Sequence, residues 1–485
     1  MMNIRTMIST TISTTILAGV LSLPLSIGAA TAAETGSALV NAAKAGDRAA
    51  VLNLLKGPAK DDVAGPHGVS ALIWAAHRND LQMVDLLLSV GVNIKGANEF
   101  GANALYAAAA HAEPALTAKL LDVGADANGA LLSGETPLME AARRGNLATS
   151  QALLAGGANP NAQEKNGGQT ALMWAVSERH PRVVEELVRR GADVHAKSKT
   201  GFTPLMFAAQ QGDVDSAHAL IAAGARPNDV MPNSGLTPLI IASAMGRRGM
   251  ATLLLDKGAD PNAVDGQGFT PLHHAALEKG TVEIVKALLK NGAKPDVPLK
   301  QPKPTFVLIS GVVMQGATPL AMAAEINNLE VVQALVEAGA DINIPTDLNT
   351  TPLALAAGTG TDVSRVRSPE ERATAVETVK YLAEHGADVN AAGQFGWTAL
   401  HGAAYQGLDD VIQYLAGKGA KLDTKDGFGQ TPLSVSMGIV TKGLGAAYYQ
   451  TPRVYWRETA DLFLKLGATP LDKSGVEIAS YRAGE

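Results

Sequence analysis

Histidines and carboxylates are where chemistry would have to start in this chain, because it contains no cysteine. That rules out disulfides, thiolate metal sites, covalent haem attachment and a lipid-modified N-terminal cysteine. His273 and His274 are adjacent. Neighbouring helical side chains point about 100° apart, so one metal held by both rings would need unusual geometry. His77, His111 and His180 lie in separate stretches, and a ligand pair of His77 and His111 is the one combination worth testing. Asp126, Asp193, Asp260, Asp341 and Asp388 follow Gly-Ala, mostly as Gly-Ala-Asp-x-Asn, and Asp265, Asp347 and Asp426 stand a little further on. Short acidic side chains at turns bond local backbone, and that is the reading preferred here over paired catalytic carboxylates. No phosphate loop, G-x-S-x-G elbow or H-E-x-x-H helix is present. Gly358-Thr359-Gly360 and Gly443-Leu444-Gly445 lack the strand and helix that a phosphate cradle needs, which leaves them as insertion loops. No catalytic, metal or cofactor site is predicted.

The elements that carry these residues repeat. Gly268-Phe269-Thr270-Pro271-Leu272-His273-His274-Ala275-Ala276 is followed by an apolar run ending Leu288-Leu289, then Asn291-Gly292-Ala293. Thr270 can cap a helix, with Pro271 at its first position, where no amide donor is needed. Val282, Val285, Leu288 and Leu289 share one face of a second helix, which Gly292 ends. Helices this short do not stand alone in water. The Pro271 position recurs at Ala38, Ala71, Ala104, Pro137, Ala171, Pro204, Pro238, Pro319, Pro352, Ala399 and Pro432. Most intervals are 33 or 34 residues, the exceptions being 319 − 271 = 48 and 399 − 352 = 47.

A period of 33 with Thr-Pro-Leu-His-x-Ala-Ala and a later Leu-Leu-x-x-Gly-Ala resembles the ankyrin-repeat family, from about Ala38 to about Asp472. The resemblance implies an all-α repeat solenoid of about twelve helix-turn-helix units with finger hairpins between them, one array over residues 34–485. Each unit buries its apolar faces against the next. It also implies that His273 and His401 brace neighbouring backbone. Three insertions break the period, near 297–315, 359–372 and 438–456. The first enlarges a finger, with a proline-rich part and an apolar part that forms a strand or packs on the stack. The second and third separate the helices of their units on the opposite edge, close enough to touch.

Binding in the family falls on finger tips and on residues just after the first helix's Ala-Ala, which line a concave groove. Those positions here include His77, Arg78, His111, Arg143, Arg144, Glu178, Gln210, Gln211, Met245, Leu277, Glu278, Glu325, Ile326, Tyr405 and Gln406. The finger position before Thr holds Phe202, Leu236, Phe269 and Trp397, and the last insertion holds Tyr448, Tyr449, Tyr455 and Trp456. Trp, Tyr and Arg dominate interfaces. The protein-binding residues singled out are therefore Arg78, His111, Arg143, Arg144, Phe202, Phe269, Trp397, Tyr405, Tyr448, Tyr449, Tyr455 and Trp456. The competing reading packs Phe202, Leu236 and Phe269 finger to finger, and places Trp74, Trp174 and Phe207 in the core.

Residues 1–33 read as a secretory signal peptide: Arg5, an apolar core from Ile12 to Ile27, then small residues that place cleavage after Ala32 or Ala33. Removing them takes away one positive charge, so the net charge goes from −6 to −7, which gives no general reason to bind nucleic acid. The sequence thus predicts a periplasmic or secreted, monomeric, non-enzymatic scaffold with a protein partner and no membrane span after cleavage. The alternatives are an enzyme or small-ligand site walled by the C-terminal insertions, and a secreted effector acting in a host.

Overall fold

Each helix is short, and its ends are set by side chains that the repeat supplies. The computed structural model describes residues 38–56, 68–300, 308–309, 312–359, 367–393, 395–438 and 455–471. The signal-peptide stretch 1–33 lies outside these residues. The chain forms two compact units, within residues 2–233 and within 234–485.

In the N-terminal unit the helix pairs are α1 (Ala38–Ala45) and α2 (Arg48–Leu55), α3 (Ala71–His77) and α4 (Leu81–Ser89), α5 (Ala104–Ala109) and α6 (Pro114–Asp122), α7 (Pro137–Arg143) and α8 (Leu147–Ala155), α9 (Ala171–Ser177) and α10 (Pro181–Arg189), and α11 (Pro204–Gln211) and α12 (Val214–Ala222). In the C-terminal unit they are α13 (Pro238–Ala244) and α14 (Arg248–Asp256), α15 (Pro271–Ala276) and α16 (Val282–Lys290), α17 (Pro319–Glu325) and α18 (Leu329–Glu337), α19 (Pro352–Ala356) and α20 (Pro369–Glu384), α21 (Ala399–Gln406) and α22 (Asp409–Gly417), and α23 (Pro432–Ser436) and α24 (Arg457–Lys465).

The Thr-Pro device works as its chemistry demands. The side chains of Thr136, Thr203, Thr237, Thr270, Thr318, Thr351 and Thr431 each accept from the third helical amide, with Pro at the start of the helix. Second helices end on a left-handed glycine. At Gly191 φ is +86, and an added Cβ would meet nothing within 4 Å, so backbone conformation alone selects glycine.

Within each unit every first helix packs on the next first helix, forming one layer, and second helices form the other. First helices are enclosed on nearly all sides: every residue of α5 and of α13 is buried. Second helices are one-sided. In α10, Val183, Val184 and Leu187 are buried while Arg182 and Glu185 face solvent. The fingers are tied by asparagines. Asn161 Nδ2 donates to the Gly191 carbonyl (3.0 Å), and its Oδ1 accepts from the Asp193 amide (2.7 Å). Asn128, Asn262, Asn343 and Asn390 make the same two bonds to their next repeats.

The insertions differ in kind. The enlarged finger is closed at its base: Leu299 donates to the Ala317 carbonyl (2.9 Å) and Gly316 to that of Leu299 (3.0 Å). Met314 is fully buried, and the apolar part forms β1 (Leu308–Ile309) antiparallel to β2 (Val312–Val313), with Leu308 opposite Val313. Residues 301–307 and 310–311 lie outside the described residues. The stretch 359–372, expected to separate the two helices of its unit, ends as helix instead. Ser368 and Glu371 form a capping box around Pro369, and Glu370 and Glu371 sit in the first turn, so α20 starts early and runs 16 residues. Residues 360–366 and 439–454 are likewise outside.

Candidate functional site

The first-helix face of the N-terminal unit carries half-buried tryptophans, each beside a cation from the preceding repeat. Lys44 Nζ lies 5.1 Å from the Trp74 ring centroid, and the Arg143 guanidinium carbon lies 5.9 Å from that of Trp174. Both cations come from the last turn of a first helix (α1, α7), and both rings from the middle of the first helix after next in sequence (α3, α9). His77 meets Trp74 edge-on at 5.9 Å. Burial, then the charges of His111 and Arg78, hold His77 below the usual histidine range.

Two guanidiniums share one carboxylate on this face. Arg143 donates to Glu140 at 2.6 and 3.1 Å, and Arg144 at 2.9 Å, while Glu140 is only 3% exposed. Behind them Tyr106 donates to Glu135 at 3.3 Å. Burial pushes the Glu135 carboxyl up, and it pushes the Tyr106 hydroxyl far above the usual tyrosine range with help from the charges of Glu140 and Glu135.

A second site gathers at the C-terminal insertions. Arg372, in the early turn of α20, lies 5.6 Å from the Trp456 ring centroid and donates to the Gly407 carbonyl at 3.4 Å. Trp456 covers Gly407, and its indole nitrogen donates to the Tyr405 carbonyl at 3.1 Å. Arg372 and Trp456, the last residues of the second and third insertions, therefore touch over the loop of the repeat between them.

Of the residues singled out from sequence, Arg78, Arg143 and Arg144 lie on the first-helix face. Arg78 covers Gly46 and donates to the Lys44 carbonyl at 3.4 Å. His111 is half-buried, with Nε2 2.8 Å from the His77 carbonyl. Phe202, Phe269, Trp397 and Tyr405 are buried, at 2%, 5%, 5% and 7% exposure, so their rings pack within the chain. Phe202 meets Phe207 at 5.2 Å and Phe269 stacks on His274 at 5.0 Å, so each ring packs on the first helix of its own repeat rather than finger to finger. Trp397 donates to Asp426 at 2.9 Å and meets Tyr405 edge-on at 5.6 Å. Tyr455 is 54% exposed beside Trp456, whereas Tyr448 and Tyr449 lie outside the described residues.

Histidine and aspartate take structural places. His273 Nδ1 accepts from the Thr270 amide at 3.2 Å and Nε2 faces the Ala317 carbonyl at 3.3 Å, so the ring is neutral with its proton on Nε2. His401 repeats this with Thr398 and Gln430. His274 Nε2 lies 2.9 Å from Asp265 in a buried pair. Among the described residues no group of three His, Cys, Asp or Glu side chains could hold a metal ion, and no helix is long and apolar enough to cross a membrane. Trp74 and Trp174, assigned to the core from sequence, are the surface features that reasoning missed. Their signal was position: each follows its helix's anchor by three residues, with a basic residue late in the preceding first helix.

Stacked pairs of short antiparallel helices, capped by Thr-Pro and tied by finger asparagines, define a helical repeat protein. Models of triple ankyrin repeats match residues 39–129, 113–198, 180–265, 205–298 and 372–435, and a single ankyrin-repeat model matches 315–347. The chain belongs to the ankyrin-repeat family, whose repeats serve as protein–protein interaction scaffolds. A human solved structure, the ASB11 ankyrin repeat domain, is 26% identical with a TM-score of 0.42, covering 49% of this chain and 98% of its own. Mouse protein phosphatase 1 regulatory subunit 27 is 43% identical over 58 residues, which is 12% of this chain. The chain spans 38% of that curated relative's length.

Proposed function

We propose that this chain is an exported, non-catalytic scaffold that binds a partner protein through the first-helix face of its N-terminal unit. The observation that carries the reading is the pair of half-buried tryptophans under Lys44 and Arg143, on helices locked by packing. Tryptophan and arginine are the anchors that interfaces favour, and a face already rigid loses little entropy on binding. The leader pattern of residues 1–33 supports export. The mouse relative's name, a regulatory subunit, is in keeping with a role exerted on another protein.

The test is affinity capture of the mature chain from its own compartment, beside an Arg143→Ala/Trp174→Phe variant. A stoichiometric partner held by the first and lost by the second supports the reading; no such partner across several conditions overturns it. Fractionation tests export: recovery of a chain that retains residues 1–33 inside the producing cell counts against it, and recovery inside a host favours the effector role. A second reading, a small-ligand site at the C-terminal insertions, draws on the Arg372–Trp456 contact. Replacing 440–453 with a short Gly-Ser linker should then abolish ligand binding and leave partner capture intact.

A further inference from the structure

We propose that the first-helix face of the N-terminal unit takes an extended, acidic peptide segment, anchored at Trp174, Ser177 and Arg143. This rests on the scaffold reading and adds the chemistry of the partner. Trp174 Nε1 and Ser177 Oγ, both on α9, are buried and have no hydrogen-bond partner among the described residues. An indole nitrogen only donates, and a serine hydroxyl can, so the group that satisfies both is an acceptor. Main-chain carbonyls and carboxylates are the acceptors a protein partner brings.

The charge on the face has the matching sign. Lys44, Arg78, Arg143 and Arg144 give +4, Glu140 and Glu178 give −2, and the sum is +2 in a chain whose net charge is −6. Glu140 is buried between two arginines, so neither guanidinium has a carboxylate to itself. A carboxylate arriving over Trp174 meets the Arg143 guanidinium at the ring face, and reaches the buried indole donor only when the side chains over it shift. Of the two repeats between the tryptophans, the first presents Ala107 and Ala110, which let a main chain approach closely, and the second presents Glu140 and Arg143. Packed helices lie roughly 8–10 Å apart, so three repeat steps from Trp74 to Trp174 span roughly 24–30 Å. An extended chain rising about 3.3 Å per residue covers that with about eight or nine residues. A long polyanion such as nucleic acid fits less well, because the rest of the chain repels it.

Fluorescein-labelled decapeptides of alternating Glu-Ala, Gln-Ala and Lys-Ala, with a single-stranded oligonucleotide as a fourth probe, test this by anisotropy against the mature chain. The Glu-Ala peptide should bind best, weaken as salt rises, and quench tryptophan emission. Arg143→Ala should weaken it about tenfold, and Trp174→Phe, which keeps an aromatic ring, smaller than the indole, and removes the donor, about threefold. Lys418→Ala, in the other unit, should change nothing. Thermal melts of both variants separate lost binding from lost folding. Equal binding of the Glu-Ala and Gln-Ala peptides, tighter binding of the oligonucleotide, or an unchanged Arg143→Ala overturns the proposal. Capture of a native partner that the Glu-Ala peptide fails to displace overturns it too, while leaving the scaffold reading in place.

Discussion

In five fingers an asparagine makes two bonds that cross to the next repeat, and its amide is what allows both. Asn161 uses Nδ2 for the Gly191 carbonyl and Oδ1 for the Asp193 amide. Asn161→Ala removes both and should cost about 1–3 kcal/mol, read as a lower urea midpoint. Asn161→Asp keeps only the acceptor and should fall between, as at Asp423, which accepts from the Thr469 amide (2.9 Å) and hydroxyl (2.7 Å). Equal losses in the two variants would mean the donor side is idle. His273 makes a different kind of prediction. Burial holds it down to about 4, against an ordinary 6.5. The unfolded chain therefore binds the extra proton first, and stability falls as pH falls from about 6.5 towards 4. The full span is worth about 3 kcal/mol. His273→Gln keeps a capping-box side chain at that position but does not titrate, so its stability should change less between pH 6.5 and 5. Parallel slopes for the two proteins would sink the assignment. The histidine's bracing role was implied by the family resemblance at its place after Thr-Pro-Leu, whereas the asparagine bonds were not legible, because the sequence shows the turn and not the carbonyl opposite it.

Elements were legible wherever local chemistry sets them. Thr-Pro starts and Gly-Ala ends placed the helices, and the breaks in period are where the three insertions are read. Interface residues were harder, because residue type does not decide which way a side chain faces. Phe202, Phe269 and Trp397 stand before the capping Thr, where the ring turns into the repeats; Trp74 and Trp174 stand where it reaches the edge of the layer. Counting residues between anchors also gave the size of the 359–372 insertion but not its form, which the Ser368–Glu371 box decides. At Gly407 two elements compete for one space. Its φ is +64, and an added Cβ would stand 2.6 Å from Trp456 Cδ2. Gly407→Ala should cost more than Gly191→Ala, where φ is +86 and nothing lies within 4 Å. Backbone strain of about 1–3 kcal/mol applies to both, and the clash is added only at Gly407. Combining Gly407→Ala with Trp456→Ala should therefore cost less than the sum of the singles, because removing the ring relieves the clash. Strict additivity in denaturant melts would show that the ring moves aside freely.

At the scale of the whole chain, stability rests on packing between neighbours, since no disulfide is available to any part of it. Each repeat buries its helices against the next within its unit, so a local loss should stay local. Leu153 on α8 is fully buried, and Leu153→Ala should cost about 2–5 kcal/mol through lost contact and the cavity left behind. The chain divides into two compact units, at Asn233 and Ser234. If stability is a sum of neighbour terms, the substitution should lower amide protection over α5 to α11 and leave α17 to α22 close to their original exchange rates. Hydrogen exchange resolved by peptide is the measurement. Loss of protection in both sets together would mean that the chain unfolds as one cooperative body, and the neighbour-sum account would fail. The result bears on function as well. The proposed binding face in the N-terminal unit, if it opens alone, is one whose stability can be changed without disturbing the insertions in the other unit.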